Sequence, residues 1–318
     1  MSSQVNGGLA TLSDQLILAT VLLYLAAMIG YALELAFGRV RTVAVVPKRQ
    51  PVTVGGGASD DVPTGTEEPA DVEPEAWAIK AGGIAVLLSW IGWAANLAGI
   101  LTRGIAVDRW PWGNMYEFVV AICFAAVTAF LVLMTRQPIR FLGAFVTLTA
   151  ALGLGFAVLF LHVQAGPVMP ALNSYWIAIH VTAAIVASGL FILAGVTAIL
   201  FLIRKDGVAS VLPARKDLER ITHRAIVISF PIWTFAVIAG AMWADRAWGR
   251  YWGWDPKEVW AFITWVAYAA YLHARATAGW RGKAAIIVSL IAFGCLLFNL
   301  IGVNMFFSGL HSYADLPK

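Results

Sequence analysis

Apolar runs of about twenty residues recur along this chain, and they decide what it can fold into. Lipid offers no water to satisfy exposed peptide groups, so a helix of roughly 20 mostly apolar residues is the unit that crosses it. Eight such runs stand out: Leu16–Phe37, Trp77–Leu101, Tyr116–Met134, Phe141–Leu161, Trp176–Ile203, Ala225–Trp243, Glu258–His273 and Ala284–Phe307. The seventh is short and rich in Trp and Tyr, so its ends are the least defined. Of the 318 residues, 60% are hydrophobic and 13% charged, against about 45–50% apolar and about 25% charged in ordinary globular chains. A water-soluble chain of this size could not hide so much apolar surface. An ordinary cytosolic enzyme, a disordered chain and a secreted disulfide scaffold are thereby excluded. What remains is an all-α polytopic membrane bundle of about eight transmembrane helices. Cys123 and Cys295 sit alone inside apolar runs and form no CxxC pair.

Charge sets the orientation. An even number of spans puts both termini on one side. One set of connections holds fifteen Lys and Arg, from Arg39 through Arg136, Arg204 and Arg215 to Lys283; the other holds six, Arg103, Arg109, Arg246, Arg250, Lys257 and Lys318. The richer side is the cytoplasmic one, so both termini face outward. The net charge of +4 reports this topology and gives no reason to expect nucleic acid. No secretory signal is expected, because the first apolar run lacks a positive leader.

Composition divides the chain into a first transmembrane helix (1–38), a linker (39–76) and a transmembrane domain (77–318). The linker carries Pro47, Pro51, Pro63, Pro69 and Pro74, a run from Gly55 to Gly57, and seven acidic residues from Asp60 onward. Such a stretch cannot support a packed core, and a flexible cytoplasmic segment is expected.

The most informative connection is the outward loop 243–260. It holds Trp243, Trp248, Trp252, Trp254 and Trp260 with Tyr251, Gly249 and Gly253, and finishes Asp255-Pro256-Lys257-Glu258. An interfacial aromatic belt is one reading. The preferred one is a flat apolar platform whose small residues let a planar ligand approach. His180 lies near the outer end of span five, and His311 follows span eight, on the same side as this loop. Each alone reads as a hydrogen-bonded bundle residue. Together, flanking an aromatic shelf, they read as axial ligands of a haem iron. No Cys cluster, HExxH or carboxylate-rich set points to zinc. His273 ends span seven near the cytoplasmic face. It is either a snorkelling residue or a ligand at membrane depth, for which a partner chain would supply the second histidine. His162 is a spare outer histidine, and His223 belongs to a basic, topogenic stretch. The segment Trp110–Glu117 either walls the same pocket or is a helix start with Asn114 as N-cap. Gly302, Asn304, Ser308 and Gly309 suit close helix packing, with shaping of the His311 turn as the alternative.

These residues resemble a known family. Trp248-Gly-Arg-Tyr-Trp252-Gly-Trp254-Asp255-Pro-Lys257-Glu258 is similar to the tryptophan-rich WWD signature of haem-handling proteins. Asn114–Glu117, Ser174–Val181 and Gly302–Tyr313 resemble further motifs of its CcsA (ResC) branch, in system II cytochrome c maturation; the likeness runs from about Trp77 to His311. The resemblance implies that His180 and His311 are external axial ligands of haem b. It implies that His273 is the transmembrane ligand, with its counterpart on a ResB-type (CcsB) partner. The expected activity is that of a holocytochrome c synthase component in the plasma membrane. It would carry haem outward and attach it to the CxxCH thiols of apocytochrome c on the extracytoplasmic face. The alternative is a haem transporter or chaperone without ligation activity. In this reading Trp248, Trp252 and Trp254 cover the macrocycle, and Asp255 fixes the loop at the start of helix seven. Arg250, Lys257 or Arg246 pairs with the propionates.

Overall fold

The computed structural model describes residues 5–38, 41–43, 70–167, 174–204 and 212–311. Helices dominate, as the apolar runs require. They are α1 (Gly7–Phe37), α2 (Ala76–Val107), α3 (Met115–Met134), α4 (Gly143–Phe156), α5 (Tyr175–Ile203), α6 (Arg215–Trp248), α7 (Pro256–Thr277), α8 (Lys283–Leu297) and the single turn α9 (Val303–Phe306). A 3-10 turn at Arg140–Leu142 precedes α4. Wider π turns follow α4 at Ala157–Leu161 and α8 at Phe298–Gly302. Two three-residue strands, β1 (Arg41–Val43) and β2 (Ala70–Val72), pair antiparallel between α1 and α2. The remainder of the expected linker, 39–40 and 44–69, lies outside the described residues.

Among the described residues, seven helical segments are long and apolar enough to cross a membrane. The eighth long helix is α7, with Lys257, Glu258, His273 and Arg275 toward its ends. The expected all-α membrane bundle is what forms. The largest difference in bounds is α6, which starts ten residues before Ala225 and runs on to Trp248. Its basic N-terminal stretch is helical because Leu218, Ile221, Thr222 and Ala225 recur at helical spacing and are all buried.

Caps fix several helix starts. Asn6 Oδ1 accepts from Leu9 N at 3.1 Å, Asn114 Oδ1 from Glu117 N at 2.9 Å, and Ser174 Oγ from Trp176 N at 3.3 Å. Gly249, at φ 70°, ends α6 in the left-handed conformation that glycine adopts without steric cost.

Since lipid tails are as apolar as Leu, packing and hydrogen bonds hold helices together here. α1 lies along α2 and also contacts α4. The α2 face is small: Gly82, Ala85, Ser89, Gly92, Asn96 and Gly99 are all buried. A Cβ at Gly92 would stand 2.6 Å from Tyr24 Cε1, and one at Gly99 2.8 Å from Ile17 Cδ1. Ser13 Oγ donates across this seam to Gly99 O at 2.7 Å. α5 lies along α6 and also meets α3 and α8. Phe191 of α5 stacks on Tyr268 of α7 with centroids 3.8 Å apart.

Candidate functional site

A cavity opens between the start of α3, α5, α6, the start of α7 and the π turn after α8. It has about 1160 Å³ of empty volume, its mouth included. The space enclosed by the walls is about 180 Å³, below the roughly 300–1,000 Å³ of small-molecule sites, so a large planar ligand would extend into the mouth. Trp112, Phe118, Trp233, Val237, Trp243 and Trp252 give it an apolar wall. His180, Lys257, Glu258, Asn299 and His311 are the main polar groups on it.

His180 projects from α5 toward α6, and its Nδ1 lies 2.7 Å from Ala236 O. A carbonyl can only accept, so Nδ1 carries the proton and Nε2 the lone pair. Gly240 makes room for the ring: a Cβ there would be 2.7 Å from His180 Cε1. The imidazole lies parallel to the Trp243 indole, 6.3 Å between centroids at 6°.

His311 arrives from the far end of the chain. Its Nδ1 is 2.7 Å from Asp255 Oδ2, while Leu310 N donates to Asp255 Oδ1 at 2.6 Å. The carboxylate therefore selects the same tautomer, with the lone pair on Nε2. Trp243 and Trp248 bracket the His311 ring edge-on, with centroids 5.6 and 5.0 Å away. Trp243 thus touches both imidazoles. Asp255 also caps α7, accepting from Lys257 N at 3.2 Å, and Glu258 completes the capping box. Its carboxyl is buried, which by itself raises the pKa. The hydrogen bonds from His311, Leu310 N and Lys257 N outweigh that and hold it below the usual carboxylate value.

The aromatic loop divides its labour. Trp243 and Trp252 face the cavity, whereas Trp248 is the last residue of α6 and backs His311. Trp254, at φ 58°, is 69% exposed and stands off the lining. Glu258 pins the loop by accepting from Gly253 N at 2.8 Å and Asp255 N at 3.0 Å. Of the three basic residues considered for propionates, Lys257 lines the cavity. Arg250 lies against Gly253, and Arg246 is exposed.

The other histidines lie elsewhere. His273 is exposed on α7, eighteen residues from Asp255 and so about 27 Å along the helix. His162 Nε2 pairs with Asp14 Oδ2 at 3.2 Å and meets the Tyr116 ring edge-on. His223 Nδ1 is 3.4 Å from Tyr271 OH. Both readings of Trp110–Glu117 hold together: Asn114 caps α3, and Trp112, Gly113, Asn114 and Met115 line the cavity. Glu117 fixes that wall. Buried, it pairs with Arg103 at 2.9 Å and Arg109 at 2.8 Å and accepts from Gly113 N at 2.7 Å. Sequence reasoning missed Trp233, Gly240 and Asn299. Gly240 carried a weak signal, being four residues, one helical turn, from Ala236.

The profile of the cytochrome c assembly protein family matches residues 112–311. The chain is 35% identical over 228 residues to a cytochrome c biogenesis protein CcsA of Chlamydomonas reinhardtii, a match covering 67% of this chain and 64% of that one. It is 32% identical over 285 residues to the CcsA protein of Trieres chinensis, covering 73% and 91% of the two chains. Identity to the CcsA protein of a Synechocystis strain is 30% over 307 residues, with 77% and 91% covered.

Proposed function

The chain belongs to the cytochrome c assembly protein family, and from that premise we propose that this multi-pass membrane protein carries haem b to the extracytoplasmic side and, with a ResB-type partner, attaches it to apocytochrome c. One observation carries the reading. Two imidazoles from distant parts of the sequence line one aromatic cavity, and each has Nδ1 committed to an acceptor, which leaves the lone pair on Nε2. Neutral imidazole held this way is the usual axial donor to haem iron. His180 and His311 would bind the iron of the haem substrate, while Trp243, Trp252 and Trp112 cover its apolar faces. Trp248 would act behind His311, and Asp255 would set its tautomer. Exposed Trp254 would contact the haem edge or the incoming peptide.

Attachment needs little further chemistry. Each CxxCH thiol adds across a haem vinyl group: a carbon–sulfur bond forms, the thiol proton goes to the neighbouring vinyl carbon, and no electrons are lost. Holding the vinyls beside the thiols supplies much of the barrier lowering. His273 lies at the other end of α7 on an exposed face. There it would hold haem together with a histidine of the partner, before passage outward.

The test is co-expression of the full chain with its partner, followed by visible spectra of wild type, His180→Ala and His311→Ala. Loss of low-spin haem in either variant is expected. Unchanged haem content and band positions in both would overturn the ligand assignment. Adding an apocytochrome in a host lacking its own maturation system separates the activities. Covalent haem on the CxxCH motif supports synthesis, and free haem alone outside supports transport without ligation.

A further inference from the structure

We propose that Lys257 is the carboxylate-binding pole of the cavity and fixes the rotational setting of a planar, dicarboxylate ligand there. The proposal deepens the haem reading above and rests on it. Lys257 stands in the first turn of α7 and lines the same cavity as His180 and His311. It is the one ammonium or guanidinium on that lining among the described residues. Its Nζ donates to Asn299 O at 2.5 Å. Asn299 lies in the π turn at Phe298–Gly302, where backbone bonding widens from the α-helical to the i→i+5 pattern. The π turn thus holds the Lys257 side chain through a neutral acceptor.

An ammonium has three donors, and this one spends one on a neutral carbonyl. Among the described residues no carboxylate forms an ion pair with it. Asp255, two residues back, has its oxygens engaged by Leu310 N, His311 Nδ1 and the Lys257 backbone N. Glu258 is engaged by Gly253 N and Asp255 N. Burial works against charge on this amine and pushes its pKa down to about 7, with Asp255 offsetting part of that; an entering carboxylate would favour the charged form. Trp112 Nε1, a buried indole N–H on the lining, also lacks a partner and offers a second donor. Walls that are largely apolar and, among the described residues, carry no other cation would tolerate a macrocycle in several rotations about the iron axis. A single charged pole selects the rotation that places the carboxylate edge at Lys257, and so determines where the vinyl edge points.

The measurement compares haem b with its dimethyl ester, titrated into the detergent-purified full chain with its partner and followed by the low-spin absorbance bands. Wild type should prefer the free acid by roughly tenfold to a hundredfold, the range of one charge-assisted hydrogen bond. Lys257→Gln should bind both forms nearly equally while keeping the low-spin spectrum, and Lys257→Arg should restore part of the preference. Equal binding of acid and ester by wild type, or an undiminished preference in Lys257→Gln, would overturn the proposal while leaving the two-histidine site intact. Absence of low-spin bands in wild type with either ligand would overturn the underlying site reading and this inference with it.

Discussion

Replacing Asp255 by Asn tests whether the carboxylate behind His311 matters for ligation. Asn is as good an N-cap as Asp, so the start of α7 is kept when the amide oxygen takes the Oδ2 site that Lys257 N reaches. Three donors converge on the residue: Leu310 N on Oδ1 at 2.6 Å, and His311 Nδ1 at 2.7 Å with Lys257 N at 3.2 Å on Oδ2. An amide offers one acceptor oxygen and one NH2 group. With its oxygen at the Oδ1 site, the NH2 faces His311 and forces the tautomer that protonates Nε2, the nitrogen needed for iron. With its oxygen at the Oδ2 site, the NH2 meets Leu310 N–H donor to donor and the turn carrying His311 is disturbed. Either way ligation weakens. Loss of an orienting partner behind a metal-bound imidazole usually costs 10–100-fold in affinity, or about 1.4–2.7 kcal/mol. The assay is haem titration of Asp255→Asn against wild type, read by the low-spin bands, with His311→Ala as the limiting case. Wild-type affinity and an unchanged spectrum in Asp255→Asn would refute the tautomer argument.

Gly240→Val should push His180 aside and abolish low-spin haem while the protein still purifies as a folded species; retained bands would contradict the close approach of α6 to the ring. Gly92→Leu should separate α1 from α2 at Tyr24 and lower stability by about 1–3 kcal/mol, seen as a fall in Tm in detergent. Glu117→Gln leaves Arg109 without its carboxylate and Arg103 with Asp14 alone, and should cost about 3–5 kcal/mol, measured the same way. Because the Asp255 carboxyl is held below its unfolded value of about 3.9, its stabilising contribution is complete above that pH and fades as pH falls through the lower folded value. Tryptophan fluorescence of the ligand-free protein should therefore show an acid step below about pH 4 that Asp255→Asn removes; the same step in Asp255→Asn would contradict the assignment.

Much of this fold was legible in the sequence because membrane burial writes itself as long apolar runs. The basic start of α6 was harder to read, since its buried Leu218, Ile221, Thr222 and Ala225 are interleaved with charges that mask the helical period. The two principal histidines were legible because a tryptophan-rich loop marked their side of the membrane. Their supports were not. Asp255 and His311 are separated by 56 positions, and no local pattern announces that one will orient the other. Likewise Lys257 and Asn299 meet only because α8 loosens into a π turn, and nothing in the run from Phe298 to Gly302 marks it. The setting of Trp254 depends on one left-handed backbone angle, which composition does not foretell.

The buried Glu117 junction has a mechanical consequence. Two guanidinium groups and the Gly113 amide fasten on the Glu117 carboxylate, and the Glu117 backbone N–H donates to the Asn114 cap, so the jaw of the cavity bearing Trp112 and Met115 is tied at several points. The facing jaw, Tyr251 and Trp252, hangs between Gly249 and Gly253, with Tyr251 already facing solvent. A guest pressed against the fastened jaw would take its alignment from there.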